Sequence, residues 1–254
     1  MKITLLGTGT SSGVPVLTCE CKVCKSNNPK DSRLRSSVLI QDEGLDILID
    51  TGPDLRQQLL KTSIKKLDAV IYTHEHKDHT AGLDDVRPFN YLQGRQCLNL
   101  YARKQVSDQL KQEFHYAFSE ERYPGIPLLE IHEIVNHPFL IENLKFIPVE
   151  VLHHKLPVFG FRIKDFTYIT DVNYIPEKEL DKIRGSKILI LDALQKSDHI
   201  SHFTLKQAVE IALEIGAEKT YFTHISHKMG LHEEVNAELP NGIELGYDGL
   251  TLQL

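Results

Sequence analysis

Five short apolar runs in this 254-residue chain each end in histidine or aspartate, and that recurrence limits the fold more than any other feature. Residues 69–72 run into Thr73-His74-Glu75-His76-Lys77-Asp78-His79, and residues 144–151 into Leu152-His153-His154. Residues 166–169 end at Thr170-Asp171, residues 187–191 at Asp192, and residues 219–222 at Thr223-His224. Strands that deliver polar side chains at their C-terminal ends are how α/β and layered sheet folds build sites, with loops held on a rigid sheet. One such strand end arises readily by chance; four or more do not.

The cluster at 74–79 supplies three imidazoles and a carboxylate within six positions. Neutral imidazole is the commonest metal ligand, and carboxylate oxygen binds the same divalent ions. Four donors so close together favour a pair of ions, because one ion would leave the extra donors idle. A second cluster, Cys19-Glu20-Cys21-Lys22-Val23-Cys24, carries three of the four cysteines. The start Met1-Lys2-Ile3-Thr4-Leu5-Leu6-Gly7 is interrupted too early for a signal peptide, so the expected location is cytoplasmic, where thiols stay reduced and bind metal before they form disulfides. Three thiolates at this spacing suit a tetrahedral zinc completed by one distant ligand, for which His227, His232 and His137 are rivals by spacing alone. Cys97, in Gln96-Cys97-Leu98, reads as a buried core thiol.

A formal charge of −6 argues against a general nucleic-acid binder. Small anions remain compatible, since bound metal ions invert the local field. No run approaches the roughly 18 apolar residues of a membrane span. With 41% hydrophobic residues and no repeat or long linker, the chain reads as one domain over 1–254. Residues 3–6, 37–41 and 45–49 are expected strands with a hairpin turn at Asp42-Glu43-Gly44; residues 55–60, 106–118 and 204–215 have helical spacing. Residues 104–143, with Pro124, Pro127 and Pro138, look like an insertion.

Taken together, His74-x-His76-x-Asp78-His79 followed by single His, Asp and His residues on later strand ends resembles the metallo-β-lactamase-fold hydrolases. The resemblance implies an αββα sandwich with a binuclear metal site. It implies that His74, His76 and His153 hold one ion, that Asp78, His79 and His224 hold the other, and that Asp171 bridges them. His153 is preferred to its neighbour His154 because it follows the strand immediately. The Cys19-x-Cys21-x-x-Cys24 loop, Thr223-His224-Ile225-Ser226-His227, and the tail Gly246-Tyr247-Asp248-Gly249 are similar to the phosphoribosyl 1,2-cyclic phosphate phosphodiesterases of the carbon–phosphorus lyase pathway. That likeness makes His227 the fourth ligand of a structural zinc and His202 a histidine that assists diester cleavage. It also implies a homodimer and a small phosphodiester substrate.

Two divalent ions, zinc, manganese or iron, acidify a water and clamp the attacking and leaving oxygens of a diester. Asp78 is expected to orient the attacking water and His202 to protonate the leaving alkoxide. Asp192 is a candidate partner for an imidazole or for His202, competing with a plain turn cap; His199 has no assigned role. Thr73, Thr170 and Thr223 each precede a ligand and are candidates to steady the ligand loops. Arg33 and Arg35 could face a substrate phosphate, although a solvated charge run is the commoner explanation. The Gly7-Thr8-Gly9-Thr10-Ser11-Ser12-Gly13 stretch lacks the Lys-Ser/Thr of a P-loop and reads as a turn near the metals. The rivals are a tRNA 3′-end endonuclease of the ribonuclease Z type, a thioesterase or lactonase on the same fold, and a non-enzymatic metal-binding scaffold. The filled set of ligand positions argues against the last.

Overall fold

A computed structural model describes residues 1–119 and 125–254, so the loop expected at Pro124 lies outside the described residues. Among the described residues the strands are β1 (Lys2–Gly7), β2 (Ser37–Asp42), β3 (Leu45–Ile49), β4 (Ala69–Ile71), β5 (Leu98–Ala102), β6 (Leu129–Glu133), β7 (Phe139–Ile141) and β8 (Leu144–His153). They continue with β9 (Leu156–Ile163), β10 (Phe166–Ile169), β11 (Ile188–Asp192), β12 (Lys219–Thr223), β13 (Ile243–Leu245) and β14 (Thr251–Gln253). Two seven-stranded sheets result, ordered β14-β1-β2-β3-β4-β5-β6 and β13-β12-β11-β10-β9-β8-β7.

Alternation along the strands divides the apolar residues into three cores. Ile3, Leu5, Ile40, Ile47 and Ile71 of the first sheet meet Phe146, Phe161, Phe166 and Ile190 of the second between the sheets. On the outer face of the first sheet, Leu39, Leu48 and Val70 pack with residues of α1 (Leu55–Leu60), α4 (Lys104–Glu113) and the short helices α3 (Arg87–Leu92) and α5 (His115–Phe118); α2 (Lys77–Thr80) carries part of the histidine cluster. On the far side, Val151, Leu189 and Phe222 pack against α6 (Glu177–Ile183), α7 (Leu205–Ile215) and α8 (His232–Glu238). The order of layers is helix, sheet, sheet, helix: the αββα sandwich.

Local chemistry sets the element ends. Glu43 and Gly44 take φ values of 51° and 78°, the left-handed pair that a two-residue hairpin turn needs. Thr204 caps α7 in a reciprocal capping box with Gln207, and Gly216 closes it in the left-handed conformation. The expected helix over 106–118 is instead two, because Phe114 leaves the helical region (φ −107°, ψ 37°) while its ring joins the core. The 104–143 segment supplies an edge strand to each sheet, β6 to the first and β7 to the second. Among the described residues no helix is long and apolar enough to cross a membrane.

Candidate metal centre and its surroundings

The parallel strands β3 and β4 in one sheet and β10, β11 and β12 in the other all open at their C-terminal ends onto one cleft. Three residues just past those ends, Asp50, Asp171 and His224, take left-handed φ values of 64°, 52° and 58°. A non-glycine residue held there costs about 1–3 kcal/mol and persists where its surroundings over-determine it. The reversal turns each chain sharply, so that the side chain points into the cleft.

There the expected residues converge. His74 Nε2 lies 3.0 Å from His76 Nδ1, close to the roughly 3.3 Å that separates two nitrogens sharing one tetrahedral ion. His79 Nε2 faces Asp78 Oδ2 at 3.3 Å and Asp171 Oδ2 at 3.2 Å. Asp171 Oδ2 is also 3.2 Å from His224 Nδ1, while its Oδ1 lies 3.9 Å from His74 Nε2. One carboxylate therefore serves both groups of donors, one oxygen to each. The His153 ring is 5.1 Å from that of His76, and His153 Nδ1 lies 2.9 Å from the Ser201 carbonyl that accepts its proton, which leaves Nε2 free. His154, by contrast, is exposed at the turn after β8.

A buried carboxylate that sequence reasoning passed over organises these rings. Asp50 is fully buried. It accepts the Thr73 N–H (2.9 Å), the Thr73 hydroxyl (2.8 Å) and His79 Nδ1–H (2.7 Å). With its hydrogen committed to Asp50, the Thr73 hydroxyl can only accept from His74 Nδ1, 2.9 Å away. Asp50 thus sets the tautomers of both His74 and His79 so that each Nε2 presents a lone pair to the cluster. The signal was present: Asp50 ends the apolar run of β3 as Asp171 and Asp192 end theirs.

The buried His79 Nε2 has no hydrogen-bond partner among the described residues. Leaving such a group unpaired costs about 1–3 kcal/mol. Burial opposes positive charge on His79, yet Asp171, Asp50 and Asp78 outweigh it and raise its pKa well above the ordinary value. Burial likewise resists ionisation of Asp171, and His224, His79 and His74 overcome it to hold the carboxyl well below its usual range. A pocket whose three carboxylates favour positive charge around a buried Nε2 fits divalent cations, and the residues group into sets that could hold metal ions: Asp78, His79, Asp171 and His224; His74, His76 and Asp171; and His153 with Asp171 and His202.

His202, beside this cluster, pairs through Nδ1 with Asp192 Oδ1 at 3.1 Å, and its Nε2 lies 4.0 Å from Asp171 Oδ1. Asp192 also accepts the Phe203 N–H, so one carboxylate fills both of the roles expected for it, partner of His202 and cap of the turn that carries that ring. Burial disfavours a charged His202, but Asp192 reverses that and lifts its pKa to about 9. The exposed His199 ring stands 5.2 Å from it.

The three clustered cysteines are free thiols. Their sulfurs lie 3.2, 3.5 and 3.6 Å from His227 Nδ1 for Cys19, Cys21 and Cys24, against roughly 3.5 Å expected for sulfur and nitrogen on one tetrahedral zinc. The Cys24 N–H draws the Cys21 thiol down to about 6, while burial pushes Cys24 up to about 11. Neither rival of His227 is part of this group: His232 is buried against Arg33 and Asn236. The remaining expectations need correction. Arg33 is 4% exposed and donates to Thr8 Oγ1, the Gly246 carbonyl and His232, so it ties the tail to the loop and is neither solvated nor free for substrate. Arg35 pairs with Asp54. Cys97 is exposed, because the apolar side chain that enters the core there is that of Leu98.

Comparison with known proteins agrees with this architecture. The Beta-lactamase superfamily domain matches residues 46–225. A crystal structure described as a diphosphatase from the PhnP family superposes with a TM-score of 0.93 at 44% identity, covering 99% of this chain and 96% of that one. The octanoyltransferase of Porphyromonas gingivalis is 40% identical over 98% of this chain, and the chain spans only 51% of that relative's length. Ribonuclease Z of Bacillus mycoides is 24% identical over 90% of this chain and 89% of its own. With the family domain and a full-length relative both matched, the chain belongs to the β-lactamase superfamily, as a metallo-β-lactamase-fold, metal-dependent hydrolase of the PhnP family.

Proposed function

We propose that this chain is a binuclear metal-dependent phosphodiesterase that cleaves a small cyclic or nucleotide-like phosphodiester. In this reading His74, His76 and His153 would hold one ion, Asp78, His79 and His224 would hold the other, and Asp171 would serve both. Cys19, Cys21, Cys24 and His227 hold a separate zinc. The ions, when bound, supply Lewis acidity toward the non-bridging oxygens and lower the pKa of water to near neutrality.

The observation that carries the step from hydrolase to phosphodiesterase is the His202–Asp192 pair. Asp192 holds the His202 Nδ1–H and favours the charged ring, which leaves an Nε2–H facing the cluster. An alkoxide is a poor leaving group that needs such a donor, whereas a thiolate leaving a thioester does not. Water adds its oxygen to phosphorus, the P–O bond to the leaving alcohol breaks, and the His202 proton ends on that oxygen. The proton released by the water returns to His202 through solvent, and Asp192 keeps Nδ1–H in place throughout. Asp78, at the cluster's open side, orients the water.

A second reading comes from the 44% identical structure described as a diphosphatase, which would place a P–O–P bond in the same cleft. Purified enzyme with its metals counted, assayed on a bis-aryl phosphate, a cyclic phosphate, a dinucleoside diphosphate, a thioester and a lactone, separates the readings. We expect about three metal ions per chain and turnover of the cyclic phosphate. Activity on acyl substrates alone, or one ion or none, overturns the proposal. Cleavage of a precursor tRNA would favour the ribonuclease Z rival, against which the net charge of −6 weighs. Free thiols in a clustered site support a cytoplasmic location, and sedimentation of the purified protein tests the expected homodimer.

A further inference from the structure

Of the imidazoles that face the cleft as candidate ligands, only His76 is exposed. It also lacks the polar partner that orients its neighbours. His74, His79 and His153 each have Nδ1 fixed from behind, by the Thr73 hydroxyl, Asp50 and the Ser201 carbonyl. His76 Nδ1 faces His74 Nε2, and among the described residues no hydrogen-bond partner holds its Nε2. The direction of this ring therefore has to come from the backbone. The peptide after His76 is fixed by α2, since the His76 carbonyl accepts the His79 N–H at 2.9 Å and the Thr80 hydroxyl at 3.2 Å. The peptide before it is fixed from α4, where Gln109 Nε2–H donates to the Glu75 carbonyl at 3.0 Å. Two planar peptides, one on each side of a Cα, determine where its Cβ points.

Gln109 is itself held. Its second amide hydrogen goes to Glu113 Oε1 at 2.6 Å, one turn further along α4, so both donors of the amide are committed. Glu113 Oε2 lies 2.6 Å from Lys77 Nζ. α4 thus grips the residue on either side of His76, Glu75 by its carbonyl and Lys77 by its side chain. The Lys77–Glu113 pair is at the surface and worth little alone, which leaves the Gln109 contact as the decisive one. A single turn such as α2 has little stability of its own. α4 is ten residues long and buries Val106 and Leu110 fully in the outer core. We propose that Gln109, braced by Glu113, is the positioning residue of His76, and that α4 thereby sets how tightly His74, His76 and His153 would hold their ion. This rests on the binuclear reading for the ligand set, and it makes one of the two ions answer to a helix that carries no ligand.

The test uses the full chain with Gln109→Met, which keeps the length of the side chain and removes its donors, with Glu113→Ala, and with Glu113→Gln, whose amide oxygen still accepts from Gln109. Zinc competition against a chelating fluorophore should show one of the two active-site ions weakened about 10-fold in Gln109→Met and Glu113→Ala, the lower end for loss of a group that orients a ligand. The other ion should change less than about twofold, and Glu113→Gln should bind both nearly as wild type does. NMR of the metal-free protein with labelled histidine gives a readout that a general loss of stability would not produce. The His76 ring signals should shift and broaden in Gln109→Met while those of His79 and His224 stay in place. Equal weakening of both ions, or unchanged affinities and an unchanged His76 signal in Gln109→Met, would overturn the assignment. A wild type that binds one ion in the cluster, weakened in Gln109→Met, would leave the positioning role standing and sink the binuclear reading instead.

Discussion

Replacing Asp50 by asparagine probes the device that sets the two imidazoles. Three donors converge on its carboxylate, from Thr73 N, Thr73 Oγ1 and His79 Nδ1 at 2.9, 2.8 and 2.7 Å. Asparagine keeps the shape but puts an NH2 in place of one accepting oxygen. Either the amide nitrogen meets the His79 and Thr73 hydroxyl protons, or it meets the Thr73 N–H; in both orientations a buried donor loses its acceptor. That costs about 1–3 kcal/mol, partly offset because a buried charge has been removed. The first orientation is relieved when His79 moves its proton to Nε2 and the Thr73 hydroxyl, now accepting from the amide, donates to His74 Nδ1, which moves that ring's proton to Nε2 as well. Both lone pairs then leave the cluster.

Loss of a partner that orients a metal-ligating histidine lowers metal affinity by about 10- to 100-fold, or about 1.4–2.7 kcal/mol. Competition against a chelating fluorophore should show both ions weakened in Asp50→Asn, with metal-free stability in urea lowered by no more than about 3 kcal/mol. Thr73→Val supplies the internal control. It removes the relay to His74 but leaves the Asp50–His79 bond, so only the ion held by His74, His76 and His153 should weaken. Wild-type affinity for both ions in Asp50→Asn, or an equal loss of both in Thr73→Val, would refute the tautomer mechanism.

His202→Ala should reduce turnover of an unactivated diester by about 10²–10⁴-fold while sparing a nitrophenyl ester, whose leaving group needs no proton; comparable losses on both would remove the general-acid role. Cys21→Ser should lower zinc content and activity together without touching an active-site donor, since Ile225 N–H to Thr8 and Thr10 N–H to Ile225 tie the His224–His227 segment to the cysteine loop's own strand end. Unchanged metal content and activity in that variant would uncouple the two sites. Glu179 is 1% exposed and accepts from Asn136, the Glu150 N–H and Lys182. Burial resists its charge, but Lys182 and Asn136 prevail and hold its pKa below the ordinary 4.5. Its contribution is therefore complete above that value and fades as pH falls through the depressed pKa. Glu179→Gln should cost about 1–3 kcal/mol at pH 7 and progressively less below pH 4 in urea titrations; a pH-independent loss would contradict the linkage.

The layers and the positions of the candidate donors are legible in the sequence because both depend on local periodicity. A strand alternates its faces every two residues, so an apolar run marks the strand and the first polar residues past it mark the edge where a cleft can form. That logic places His74, His153, Asp171 and His224 without knowledge of what they face. It applies equally to Asp50, but its neighbours, Asp50-Thr51-Gly52, contain no imidazole that would mark them as a donor set. Its partners lie 23 and 29 residues away, and only folding brings them together.

Burial of single polar residues obeys no such local rule. Arg33 and Arg35 are two apart on one extended segment and would face the same side by alternation. Yet Arg33 is buried and Arg35 is only partly so, since what decides their fate is the C-terminal tail laid against them from more than 200 residues away. Asp248 accepts from Thr8 and from the Leu34 N–H, and the Gly246 carbonyl accepts from Arg33. The Gly-Tyr-Asp-Gly tail is therefore a clasp that holds the Gly7–Gly13 turn and the Arg33 segment together. Through Gly9 and Thr10 the same turn meets Ile225, immediately after His224. The tail motif and the candidate ligand His224 thus bear on one strand end from opposite sides, and the Gly-Tyr-Asp-Gly segment at the far end of the chain helps set the position of an imidazole it never touches.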